Sequence, residues 1–176
     1  SNTAIGKSAL EDITTGIANV AIGSTAAANT TTGTQNVAIG GRFDGTNSAP
    51  LVTNAVGSYN IAIGTGALQT ANEDDNDGTV AIGHLACQNQ AGTGGNQFAN
   101  STVGIGYKAL NALTTGARNM AIGYQAADVL TQGDDNLAIG YESMSALSTT
   151  DVSDKNIAIG NYAMDGVAGL AATRNV

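Results

Sequence analysis

The apolar positions of this chain recur in one phrase, Asn-x-Ala-Ile-Gly, and mostly polar or small residues separate its copies. The phrase is marked by nine Ile-Gly pairs: Ile5-Gly6, Ile22-Gly23, Ile39-Gly40, Ile63-Gly64, Ile82-Gly83, Ile105-Gly106, Ile122-Gly123, Ile139-Gly140 and Ile159-Gly160. Successive glycines lie 17, 17, 24, 19, 23, 17, 17 and 20 residues apart. Seventeen is the base unit, and the longer intervals carry insertions of two to seven residues. A tenth phrase opens at Asn175, so residues 1–176 read as a single repeat array of nine full units and a partial tenth. Both ends fall within the repeat, which suggests a piece of a longer fibre.

Each column of the repeat has a physical reading. The position three before the glycine is Val20, Val37, Ile61, Val80, Val103, Met120, Leu137 or Ile157 in all units but the first, which has Thr3. The position two before it is Ala except for Gly104, and four before it is Asn except for Thr79 and Thr102. Val-Ala-Ile therefore predicts a short strand, with Val and Ile on one face and Ala on the other. Both faces are apolar, so both should be covered. The glycine permits a bend that a Cβ would obstruct. Thr-Thr-Gly, as at Thr14-Thr15-Gly16, marks a return turn. The Asn column predicts an amide ladder running from coil to coil. No segment sustains a 3.6-residue period, so helices are not expected.

A unit of about 17 residues with one short strand predicts an all-β fold, a parallel β-solenoid or β-roll. Stacked at ~4.8 Å per coil, ten coils make a rod of roughly 45–50 Å. Such a coil is thin, and its second apolar face needs a partner. Other copies of the same chain around a common axis supply one economically, as a homotrimer. The alternative is a monomeric solenoid that covers both faces itself. The sequence leaves open which column faces a shared axis. Close backbone approach favours Ala there, with the bulky residues inside each roll.

Composition sharpens this picture. Ala, Gly, Thr and Asn together make 93 of 176 residues, from counts of 30, 24, 21 and 18. There is no Trp, and only two Phe, so a conventional core built on aromatic bulk is not expected. Six Lys and Arg against fourteen Asp and Glu give a net charge of −8, which disfavours a nucleic-acid partner. No apolar run approaches the ~18 residues of a membrane-inserted helix.

The phrase Asn19–Gly23, repeated at Asn36–Gly40 and followed by Ala, resembles the head repeats of trimeric autotransporter adhesins. The longer form from Gly106 to Gly123 is even more similar to the repeat arrays of phage tail-fibre and related surface proteins. The resemblance covers essentially the whole chain and implies a trimer of parallel β-rolls, with the Ala-Ile-Gly strands packing near the threefold axis. It further implies an extracellular place, on a virion or a cell surface. The longer units depart from the adhesin pattern.

Candidate sites follow from the insertions and the aromatic residues. The largest insertion, Arg42–Tyr59, contains Phe43, Asp44 and Pro50, and the second, His84–Thr102, contains Cys87 and Phe98. Solenoid insertions commonly carry recognition, and they also tolerate drift in length. Tyr107, Tyr124 and Tyr141 share one column in three successive coils. They predict a ladder along one edge, available for mutual stacking or for sugar rings of a host surface glycan. Glu73, Asp75 and Asp77 ahead of Gly78 form half of a calcium-loop pattern, without the closing bidentate Glu, so a solvated acidic turn is favoured over a metal site. Asp134-Asp135, Asp151 and Asp154 read as solvated turns. His84 and Cys87 are the only residues of their types and give thin support to a nucleophilic pair. Neither an enzyme nor a cofactor is expected.

The function these observations favour is a structural and adhesive segment of an elongated trimeric fibre, a virion tail fibre or cell-surface adhesin. It acts as a stiff shaft and presents edge loops for attachment. The alternatives are an ice-binding solenoid, suggested by Thr14-Thr15, Thr31-Thr32, Thr114-Thr115 and Thr149-Thr150, and a subunit of a polymerising extracellular filament.

Overall fold

The computed structural model describes residues 1–42, 49–70, 76–90, 100–146 and 153–165. Within them the chain forms a β-solenoid built on one parallel sheet of nine strands in sequential order. The strands are β1 Thr3–Ile5, β2 Val20–Ile22, β3 Val37–Ile39, β4 Ile61–Ile63, β5 Val80–Ile82, β6 Val103–Ile105, β7 Met120–Ile122, β8 Leu137–Ile139 and β9 Ile157–Ile159. Each strand is the three-residue segment before a repeat glycine. The register is strict, with Ala21 opposite Ala38 and Ile22 opposite Ile39. It survives the seven-residue insertion between β3 and β4, where Ala38 still faces Ala62. The insertion therefore leaves the ladder intact.

The strand glycine is fixed by backbone shape and by space. Gly64 has φ +120, and a Cβ there would lie 2.7 Å from the carbonyl oxygen of Gly83 in the next coil. Only a residue without a side chain lets consecutive coils close to the interstrand spacing at this corner.

After the glycine the chain turns on left-handed residues that are not glycine. Ser8 and Leu10, Lys108 and Leu110, and Gln125 and Ala127 all have φ between 50 and 55. They lie two and four residues past the glycine, with a residue of ordinary φ between them. This alternation reverses the peptide direction at each step. The Gln125 N–H donates to Tyr107 O in the preceding coil (2.8 Å), and the Ala127 N–H donates to Ser143 O in the following one (2.8 Å). Each left-handed site costs of order 1 kcal/mol or more alone, and the ladder on both sides holds it in place.

The core corrects one expectation. The strand alanines, from Ala21 to Ala158, point into the roll and are 0–1 % exposed, while the flanking Val and Ile lie on the outer face. Interior bulk comes instead from the column four residues past the glycine, with Leu10, Leu68, Cys87, Leu110 and Met144, beside Ala27 and Ala127 in two of the coils. Leu113 and Leu130 add to it further round the coil. The physical reason is the thinness of the roll. The turn wall fills the interior with its Leu column, leaving a methyl's depth on the strand wall.

Candidate functional site

Three features of the surface and edges carry chemistry. The first is the outer sheet face. Its two columns hold Val, Ile, Met and Leu along almost the whole sheet, and no charged residue. It remains partly open, and Ile61, Met120 and Ile157 are among its exposed members. Charged residues begin immediately beyond both strand ends. Lys7, Lys108 and Glu142 lie on one side, and Arg118, Asp135 and Lys155 on the other. The face is thus an apolar strip between polar rims.

The second feature is a pair of polar ladders that lock coil to coil. Buried Asn19 accepts the Asn36 N–H through Oδ1 (2.9 Å) and donates from Nδ2 to Gly33 O (2.8 Å). Asn36 repeats both bonds, to the Asn60 N–H (2.9 Å) and Gly57 O (2.8 Å). The expected amide ladder exists, but each amide bonds chiefly to the backbone of the next coil. It stops at Thr79 and Thr102, whose hydroxyls cannot span both groups, and Thr102 Oγ1 is buried without a partner among the described residues. The second ladder lies two residues earlier and was missed by the sequence reading. Ser58 N–H donates to Asp77 Oδ1 (2.6 Å), Asp77 N–H to Asn100 Oδ1 (2.9 Å), Ala117 N–H to Asp134 Oδ1 (2.8 Å), and Asp134 N–H to Asp154 Oδ1 (2.7 Å). Asp134 and Asp154 are therefore not plain solvated turns. Their carboxylates cap the turn of the preceding coil. The signal was present as a column of Ser58, Asp77, Asn100, Asp134 and Asp154, all short acceptors.

Across this second ladder Arg118 binds Asp135 through Nε (2.6 Å) and Asp134 through a terminal nitrogen (3.3 Å). The hydrogen bond and charge of Asp135 raise the Arg118 pKa, and Arg118 in turn lowers that of Asp135.

The third feature is the aromatic ladder. Tyr107 and Tyr124 stack with centroids 5.0 Å apart and planes 17° from parallel, and Tyr124 and Tyr141 at 5.2 Å and 6°. The structure lengthens the row at both ends. His84 stacks on Tyr107 at 5.7 Å and 28°, and Tyr162 meets Tyr141 edge-on at 5.3 Å and 67°. Tyr162 escaped the column reading because it stands one residue late, after Asn161. Lys108 Nζ lies 5.5 Å from the Tyr107 ring centroid. A hydrogen bond to Glu142, the chief cause, pushes the Tyr141 phenol up to about 12. Mutual stacking covers the faces of Tyr107 and Tyr124, so these rings turn their edges and hydroxyls outward. Face-on stacking of a sugar on the inner rings is thereby excluded.

The remaining candidates separate. His84 joins the outer ladder, whereas Cys87 is fully buried, and burial pushes its thiol up to about 12. The two are not brought together as a nucleophilic pair. Asp77 serves the backbone ladder, while Glu73 and Asp75 lie outside the described residues, as do Phe43, Asp44, Phe98, Asp151 and the Thr149-Thr150 pair. Thr14, Thr31 and Thr114 donate their hydroxyls to Thr31 O (3.0 Å), Ala55 O (2.9 Å) and Thr131 O (2.9 Å) of the next coil. Among the described residues no helix is long and apolar enough to cross a membrane. Compared with known protein families, with curated proteins and with solved structures, the chain matches none of them.

Proposed function

We propose that this chain is a shaft segment of an elongated homotrimeric fibre, borne outside the cell on a virion tail or a cell surface, with edges available for attachment. The observation that carries the reading is the outer Val/Ile face. An uncharged apolar strip across nine strands, ~40 Å long at the interstrand spacing, is larger than a lone soluble chain ordinarily leaves open. Copies related by rotation about an axis parallel to the rod would bury that strip along its whole length and keep coil levels matched. The resemblance to adhesin-head repeats favours three copies. In this arrangement Val and Ile face the axis, and Ala packs inside each roll. The long insertions then emerge in triplicate, which raises avidity without new contacts.

The Thr hydroxyls do not favour the ice-binding alternative, because the first Thr of each described pair donates its hydroxyl to the backbone of the next coil. The test is mass in solution. Light scattering should give three times 17.4 kDa. Ile122→Lys, at the centre of the face, should reduce the mass or drive the chain into aggregates. A folded wild-type monomer at micromolar concentration would overturn the reading.

A further inference from the structure

We propose that the aromatic ladder is a binding site for an extended, β-linked polysaccharide lying along the rod. The inference rests on the fibre reading for its purpose, though its geometry belongs to a single chain.

The ladder presents one ring per coil, and the solenoid fixes the step. From Tyr107 to Tyr162 successive ring centroids are 5.0, 5.2 and 5.3 Å apart. The rings are held by their neighbours, so little conformational freedom is lost when a ligand docks. Tyr107, Tyr124, Tyr141 and Tyr162 are 37–55 % exposed. Because the inner rings cover one another's faces, they offer a row of phenol oxygens, all able to accept, with the Tyr141 O–H already donating to Glu142. Tyr162 differs. Turned 67° from Tyr141 and the most exposed of the four, it can offer a face to a sugar ring. Lys108 and Glu142 sit beside the row and keep that edge polar.

This pattern selects among polymers by period. An extended peptide advances ~3.3 Å per residue and repeats each face at about twice that, out of step with the ladder. A nucleic-acid strand advances ~3.4 Å per nucleotide and meets a chain of net charge −8. A pyranose joined through diequatorial linkages advances by about one coil step and carries hydroxyls at every unit. Such a chain would stack one ring on Tyr162 and hydrogen-bond to the phenols of Tyr141, Tyr124 and Tyr107.

The experiment is calorimetric titration with β-1,4-linked hexamers of glucose and of N-acetylglucosamine, with the α-1,4-linked glucose hexamer as control and light scattering on every sample. The expected result is binding of a β-linked hexamer, stronger than its dimer and stronger than the α-linked control. Tyr124→Phe keeps the ring and loses the hydroxyl, so it should weaken binding about 2- to 10-fold at unchanged mass. Tyr162→Ala should remove measurable binding. No binding of either β-linked hexamer, equal binding of the α-linked one, or indifference to both substitutions overturns the site. A trimer without ladder-dependent binding retires the site and leaves the fibre reading. A monomer that binds through the ladder retires the fibre reading and leaves the site.

Discussion

The sulfur of Cys87 fills the space that a Cβ on residue 104 would occupy. Gly104 is the one glycine in the Ala column of the strands, and Cys87 is the one cysteine in the Leu column of the turns. The two departures from the repeat meet in one contact, with the Cys87 sulfur reaching into the space left by the missing Cβ. Gly104→Ala should therefore destabilise by about 1–3 kcal/mol, as overpacking does in a tight core. Cys87→Ala in the same chain should recover most of that loss, a non-additivity expected of residues in contact. Urea unfolding midpoints of the four variants measure the coupling, and strict additivity would contradict the shared volume.

The same burial protects the thiol. With its pKa pushed up to about 12, Cys87 carries almost no thiolate at pH 8. A thiol-specific reagent should label the native protein only as fast as the fold opens, and label it promptly in denaturant. Labelling of the native protein at the rate of a free cysteine would place Cys87 on the surface.

Asn36 carries two buried inter-coil bonds, one to the Asn60 N–H and one to Gly57 O. Asn36→Ala leaves both backbone groups without their partner, at roughly 1–3 kcal/mol each. Thermal unfolding should show a loss well beyond that of Thr14→Ala, which removes one exposed hydroxyl bond. Equal losses from the two substitutions would contradict a structural role for the amide ladder.

The Tyr141 phenol should titrate late. Glu142 holds the Tyr141 proton, so deprotonation of Tyr141 is deferred to about pH 12. Removing the acceptor and its charge together with Glu142→Ala should bring that ionisation down. Absorbance titration of the phenolates follows it directly, and an unchanged titration curve would show that Glu142 does not hold the proton.

Part of the site was legible because it repeats. Tyr107, Tyr124 and Tyr141 share a column, and identical positions in stacked coils must meet, so the ladder followed from spacing alone. His84 stands in the same column one coil earlier, directly after Gly83, so its place could be read the same way, whereas Tyr162 stands one residue late and joins through the turn's geometry. The Asp134 and Asp154 contacts were hidden because a charged turn residue is ordinarily solvated, and only the neighbouring coil supplies the N–H groups that use these carboxylates.

By itself the sequence determined the period, the strand positions, the register and the corner glycines. These depend on local spacing and on the φ a residue can adopt, both of which the chain carries within one coil. It did not determine which apolar column lies inside. Val-Ala-Ile offers an apolar residue to either face, and alternation is the same whichever side is buried. The tertiary structure decided it, because the Leu column of the turns already fills the thin interior and leaves depth only for Ala. The bulky side chains were turned outward by packing between two walls of one coil, a relation that no single segment expresses.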